Sequence, residues 1–147
     1  MKTLITLFAT LIAFTLPAIA GGDWLTEIEA GVKQAKKENK SVLVEFTGSD
    51  WCPPCIMMDK KVFSKKEFLK QAKEGYVLVK IDIPKSDKEL SDKNKQVMAK
   101  WGVSGVPTVL LLDAEGKEFH RFSASKYSTV EKFIAHLARA KELKGML

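Results

Sequence analysis

The chain has 147 residues, 24 Lys and Arg against 18 Asp and Glu, a formal net charge of +6 and two cysteines. That length suits one domain around one core, and two cysteines are too few for a disulfide scaffold, so the core must hold by packing. The lysines spread along predicted helices, as at Lys33, Lys36, Lys37, Lys65, Lys66 and Lys70, without the basic stripe and interleaved aromatics of a nucleic-acid surface. Weak attraction to acidic partners or a membrane surface is what the charge leaves open.

Residues 1–20 read as an export signal. Lys2 supplies the positive end, Leu4 to Leu16 the apolar stretch, and Ala18-Ile19-Ala20 a small-x-small cleavage site. Cleavage after Ala20 leaves a domain of residues 21–147 in the periplasm or outside the cell; an uncleaved N-terminal anchor is the alternative. The apolar run is short for a membrane span of about 20 residues. No cysteine follows the cleavage site to carry a lipid.

From Trp24 to Lys40, the apolar Leu25, Ile28, Val32 and Ala35 recur at helical spacing, which predicts an amphipathic helix. Ser41 to Thr47 is a short, nearly all apolar run, as expected of a strand covered on both faces. Glu45 is its exception, and it points either to an exposed edge or into the interior beneath the following loop. The hydrophobicity of the run favours burial. Desolvation would then raise its pKa and let it exchange a proton with Cys55, directly or through water.

Gly48-Ser49-Asp50 forms a loop leading into Trp51-Cys52-Pro53-Pro54-Cys55. Two residues between cysteines is the spacing at which a helical turn brings both sulfurs within bonding reach, so a reversible disulfide is expected, with Cys52 attacking and Cys55 resolving. Proline fits the first turn of a helix, where its missing N–H breaks no intrahelical bond, and this places Cys52 at a helix N-terminus. A cysteine there has its pKa lowered from about 8.5 toward roughly 3.5–7.5. Two prolines also remove two N–H donors to the sulfur, which predicts moderate thiolate stabilisation and a disulfide nearer the reducing end of the scale.

A permanent disulfide and a zinc half-site are the bland alternatives. So short a loop is a poor staple. The two histidines, His120 and His136, do not lie in a ligand-like pair, so no metal site is expected. Met57 and Met58 beside two thiols raise copper(I) binding, but nothing supplies a third well-spaced ligand. After Cys55 a helix carries Met58, Val62 and Phe63 at core spacing; Ile56 and Met57 read equally as core or as a soft apolar rim for a protein partner.

Ser64-Lys65-Lys66-Glu67 has the form of a capping box, with Phe63 and Phe68 as its hydrophobic staple, starting a helix that runs to about Lys73. Tyr76 to Ile83 is a second apolar strand. Lys80 interrupts it as Glu45 interrupts the first, so the two either pair side by side or Lys80 is an ordinary exposed strand lysine. Pro84 to Lys93 reads as a charged loop, and Leu90, Val97, Met98 and Trp101 as a helix closing at Gly102, with Trp101 a core anchor. Gly105-Val106-Pro107-Thr108 precedes a buried strand, Val109 to Leu112. Asp113 to Gly116 is a hairpin turn into Lys117 to Phe122. Ser128 with Glu131 caps a last helix whose stripe is Val130, Phe133, Ile134, Leu137 and Lys141. Strands joined through helices run parallel and a hairpin adds antiparallel ones, which gives an α/β fold with a mixed central sheet and helices on both faces.

Together, the Trp51 to Cys55 motif on a strand-to-helix turn and Gly105-Val106-Pro107-Thr108 before a hairpin resemble the thioredoxin superfamily over nearly all of residues 21–147. The stretch Phe46 to Cys52, with Val62-Phe63-Ser64, is most similar to small exported thioredoxin-like proteins and to the periplasmic thioredoxin-like domain of transmembrane thiol-disulfide interchange reductases. The resemblance implies a thioredoxin-like fold in which Cys52 is the exposed nucleophile and Cys55 the buried resolving thiol. It implies a cis Pro107 facing the disulfide, a Val106 backbone that pairs with an extended substrate segment, and a Trp51 that shields the site. Glu45 stands where thioredoxins usually carry a buried Asp, and Lys80 matches the lysine often found near it. The chain departs from the family pattern in that Glu, in Pro53 where Gly is usual, and in a loop one residue longer.

What this implies is an exported thiol-disulfide oxidoreductase, needing no cofactor, that reduces or exchanges disulfides in proteins, with electrons from a membrane-bound reductase. A monomer is expected, since no dimerisation segment is visible. A disulfide oxidase or isomerase on the same fold is the alternative enzyme, and a binding or copper-delivery module the alternative of another class.

Overall fold

A computed structural model describes residues 23–146, and the export signal read in residues 1–20 lies outside them. Helix α1 (Ile28–Glu38) leads into strand β1 (Ser41–Thr47), and α2 (Pro53–Met58) continues through a π-helical turn, Asp59–Phe63. Then come α3 (Lys66–Gly75), β2 (Tyr76–Asp82), α4 (Lys88–Lys100), β3 (Thr108–Leu112), β4 (Glu118–Ser123), a 3-10 turn (Ala124–Lys126) and α5 (Val130–Gly145). The strand order is β2-β1-β3-β4, with β1 and β2 parallel and the β1–β3 and β3–β4 pairs antiparallel. This is the mixed sheet expected of an α/β chain with one hairpin.

Strand β1 is buried at every position, and its alternating side chains divide the core in two. Leu43 belongs to a cluster with Met58, Phe63, Phe68 and Phe133, which packs α2, α3 and α5 on one face. Val42, Val44 and Phe46 meet Ile28, Ala35 and Val97 under α1 and α4 on the other.

Several boundaries differ from the sequence reading, each for a local reason. The first helix starts at Ile28 rather than Trp24. Leu25 instead bridges to Val79, its N–H donating to Leu78 O (2.9 Å) and its carbonyl accepting from Lys80 N (2.8 Å), so it covers backbone groups on the open edge of β2. Trp24 stacks on Phe68 and meets Phe63 edge-on. Ser64 does not cap α3. Its hydroxyl donates to Asp59 O (2.7 Å) and closes the π turn, leaving Lys65 as an N-cap without a side-chain bond, although the Phe63 and Phe68 rings do meet at 5.4 Å. Helix α4 begins at Lys88, inside the stretch read as loop, because Asp87 accepts from Leu90 N. Thr129, not Ser128, caps α5. Lys141, assigned to the core stripe of that helix, is exposed and reaches Gly75 O, and Ala140 takes the buried place. Strand β4 runs one residue later than expected, opposite a register shift at Leu111 and Leu112.

His120 and His136, which have no ligand-like spacing in sequence, nevertheless meet in the fold. His120 lies opposite Leu111, on the face of β4 that meets α5, and its Nε2 stands 3.0 Å from His136 Nε2. Sixteen residues apart in sequence, they form a pair in space.

Candidate active site

The loop after β1 is stitched to the segment that follows β2. Ser49 donates to Asp82 through both its N–H (2.9 Å) and its hydroxyl (2.6 Å). The Asp50 carboxylate accepts from Lys85 N (2.8 Å) and Ser86 N (2.9 Å), and these backbone donors hold its pKa below the usual range. Trp51 Nε1 donates to Ile83 O. A Cβ on Gly48 would fall 2.5 Å from Trp51 Cε2, so the indole lies directly on a backbone that only glycine leaves bare. The longer loop is thereby fixed at four successive residues.

Cys52 is the N-cap of α2, with Pro53 and Pro54 in the first turn, and Cys55 N donates to Cys52 Sγ at 3.3 Å. The two cysteines form a disulfide with a Cα separation of 5.2 Å. Cys55 is fully buried, and Cys52, expected to be exposed, is only 4% exposed in this bonded form. Accessible surface beside the bridge comes instead from Trp51 (39%), Ile56 (46%) and the exposed Pro53 and Pro54. Of the residues after Cys55, Ile56 is thus outside, Met57 half-buried and Met58 core. The Val106–Pro107 peptide is cis, Pro107 is buried, and Val106 O lies 4.0 Å from Cys52 Sγ.

Glu45 is fully buried on the Leu43 side of β1, the face that α2 covers, and neither carboxylate oxygen has a hydrogen-bond partner among the described residues. It is the register partner of Lys80, whose Nζ stands 3.7 Å from Glu45 Oε2. Burial pushes the Glu45 carboxyl up to about 7; Lys80 opposes this, and the nearby charges of Asp59 and Asp82 reinforce it. Burial alone would lower the Lys80 pKa, but Glu45 and Asp59 outweigh it and hold the ammonium above its ordinary value.

Asp59 is the member that sequence reasoning missed. It lies 3.0 Å from Lys80 Nζ and opens the π turn four residues after Cys55. That helical spacing from the second cysteine was the available signal. Lys80 also lies over the Trp24 ring, 5.1 Å from its centroid. The site therefore offers a dithiol pair at a helix N-terminus, a protonatable carboxyl beneath the same helix, and a cation shared between two acids.

A parallel pair, two antiparallel pairs, helices on both faces, and a two-cysteine bridge at a helix start opposite a cis proline define a thioredoxin-like class of protein. A thioredoxin-like family model matches residues 23–114, and the chain belongs to that family. It is 34% identical over 107 residues to the disulfide bond reductase DsbH of Chlamydia pneumoniae, a match covering 71% of this chain and 64% of that protein. It is 25% identical over 115 residues to the thiol:disulfide interchange protein DsbD of Vibrio cholerae, covering 78% of this chain and 18% of that one. The chain thus spans less than two thirds of either relative's length. Among solved structures, a DsbH oxidoreductase superposes with a TM-score of 0.68 at 28% identity, covering 92% of this chain and 96% of that one. The C-terminal domain of Neisseria meningitidis DsbD shares the fold, with a TM-score of 0.59 at 20% identity over 80% of this chain and 98% of that domain.

Proposed function

We propose that this chain is an exported, monomeric thiol-disulfide oxidoreductase that reduces or exchanges disulfides in other proteins. The observation that carries this reading is the seating of the Cys52–Cys55 bridge at the start of α2, with Cys52 Sγ beside the Val106 carbonyl. The names of the two relatives, disulfide bond reductase and thiol:disulfide interchange protein, support the same chemistry.

In the reduced chain the Cys52 thiolate attacks one sulfur of a partner's disulfide. That S–S bond breaks, its other sulfur leaves as a thiolate, and a mixed disulfide forms. The Val106 backbone holds the partner's segment as a short added strand, while Trp51 and Ile56 form an apolar rim around it. Glu45, ionised, takes the Cys55 proton, directly or through water, and Lys80 modulates how readily it does so by stabilising the carboxylate beforehand. Cys55 attacks Cys52 Sγ and the partner's remaining sulfur departs, so two electrons have passed to the partner, whose two thiolates take their protons from Glu45 and from solvent. A membrane-bound reductase restores the dithiol, since an exported protein has no cytosolic thiol supply. The export signal at residues 1–20 sets the compartment.

Insulin reduction tests the reading. Wild type turns over, Cys52→Ser does not, and Cys55→Ser accumulates a mixed disulfide with the substrate. Activity that survives Cys52→Ser, or a Cys55→Ser chain that never traps substrate, overturns it. A glutathione titration sets the direction. With Cys55 N as the one backbone donor seen at Cys52 Sγ among the described residues, the potential is expected nearer about −270 mV than about −120 mV.

A further inference from the structure

His120 and His136 lie outside the disulfide site and take no part in the chemistry above. Their Nε2 atoms face each other at 3.0 Å, one from the edge strand β4 and one from α5, with both rings half-buried. Aromatic packing fixes the ring planes. Tyr127 stacks on His136 at 3.9 Å and 16°, Phe122 meets His136 edge-on at 4.4 Å, and His120 stacks against Phe122 at 5.5 Å. The two Nε2 atoms are thus held close together, and to share a ligand the rings have only to turn away from each other toward it.

We propose that His120 and His136 form a two-imidazole site for a late first-row divalent cation, copper(II) foremost, completed by water. Cis nitrogens on an ion bound at roughly 2.1 Å stand about 3 Å apart, which is the separation seen. Imidazole suits Cu, Ni and Zn, and affinity across such ions peaks at Cu(II). Metal binding needs neutral rings. Without metal, one ring donates its Nε2–H to the other. On binding, that ring moves its proton to Nδ1, both Nε2 lone pairs turn to the ion, and no net proton is released. The bound ion ties edge strand β4 to α5, and because it binds the folded chain it raises the unfolding midpoint.

The test uses the purified chain with its disulfide intact, so that neither thiol can bind metal. Copper(II) sulfate, nickel(II) and zinc(II) are titrated separately by equilibrium dialysis against wild type, His120→Gln and His136→Gln, with insulin reduction as the check that each variant is folded. One copper(II) per chain, bound more tightly than nickel or zinc and weakened at least about tenfold in each variant, is expected. The wild-type electron paramagnetic resonance spectrum is expected to show splitting from two imidazole nitrogens, and its thermal midpoint to rise with copper while the variants' do not. Binding that is equal in wild type and variants, a spectrum without two imidazoles, or no saturable binding overturns the proposal.

Discussion

Lys80 and Glu45 are partners across the β1–β2 ladder, yet their charged ends stop 3.7 Å apart because the Lys80 ammonium sits closer, at 3.0 Å, to Asp59. The buried carboxyl is left without a hydrogen bond among the described residues and keeps its proton up to about 7. The folded chain therefore holds a proton that the unfolded chain, with Glu45 near 4.5, has released. That contribution to stability is fully present below about pH 4.5 and is lost as pH rises through about 7. Urea unfolding of the oxidised wild type should show stability falling across this window by about 1–3 kcal/mol. Glu45→Gln should lack that slope and be the more stable protein at pH 8. Parallel curves for the two proteins would refute the assignment.

Asp59 raises the Glu45 pKa in two ways, by its own charge and by drawing Lys80 outward. Asp59→Asn removes both, so the Glu45 pKa should fall, by up to about one unit. Lys80→Met removes the one opposing cation and should move it the other way. Carboxyl carbon NMR of Glu45 reads the shift directly, and the pH profile of mixed-disulfide resolution should follow it. If the two variants shift the titration in the same direction, Lys80 is not divided between the acids.

The Trp51 indole rests on Gly48 and is tied to Ile83 O, so its position depends on one missing side chain. In Gly48→Ala the new Cβ would lie 2.5–2.7 Å from indole atoms, and the ring has to move. The Trp51 indole N–H resonance should shift as its hydrogen bond to Ile83 O breaks. Insulin reduction should fall roughly tenfold or more, because partner segments meet a displaced rim. Reduction of a small uncharged disulfide, which needs no rim, should change far less. Equal losses on both substrates would mean that the substitution acts on the cysteines themselves.

Much of the fold was legible because three nearly continuous apolar runs, at residues 41–47, 76–83 and 109–112, behave as buried strands whatever surrounds them. Glu45 and Lys80 stood out for a related reason: Glu45 is the one charge in its run, and Lys80 is one of only two, with Asp82, in the next. Trp24 and Leu25 were misassigned because helical spacing cannot reveal that β2 has an open edge to cover. Ser64 has the pattern of a capping box, but the π turn before it competes for the same hydroxyl. Asp59 carried a readable offset from Cys55, whereas His120 and His136 carried none. Their meeting depends on how α5 crosses β4, and no local pattern encodes that crossing.

Gly31 lies in the middle of α1, where alanine is the better helix former by about 1 kcal/mol. Its face is pressed on β2, and a Cβ there would stand 2.4 Å from Val79 Cγ2 and 3.3 Å from Val42 Cγ1. Both valines are fully buried and β-branched, so neither can swing aside cheaply. Overpacking of this kind costs about 1–3 kcal/mol, which exceeds the helix gain, so Gly31→Ala should destabilise the chain in urea or thermal unfolding. Val79→Ala removes the obstructing methyl at the cost of a cavity. In the double variant the new methyl on α1 fills part of that cavity, so the combined loss should be smaller than the sum of the two by about 1 kcal/mol or more. Additive losses would show that α1 rises off the sheet as a unit, in which case the contact at Val79 is not what sets the α1–β2 spacing.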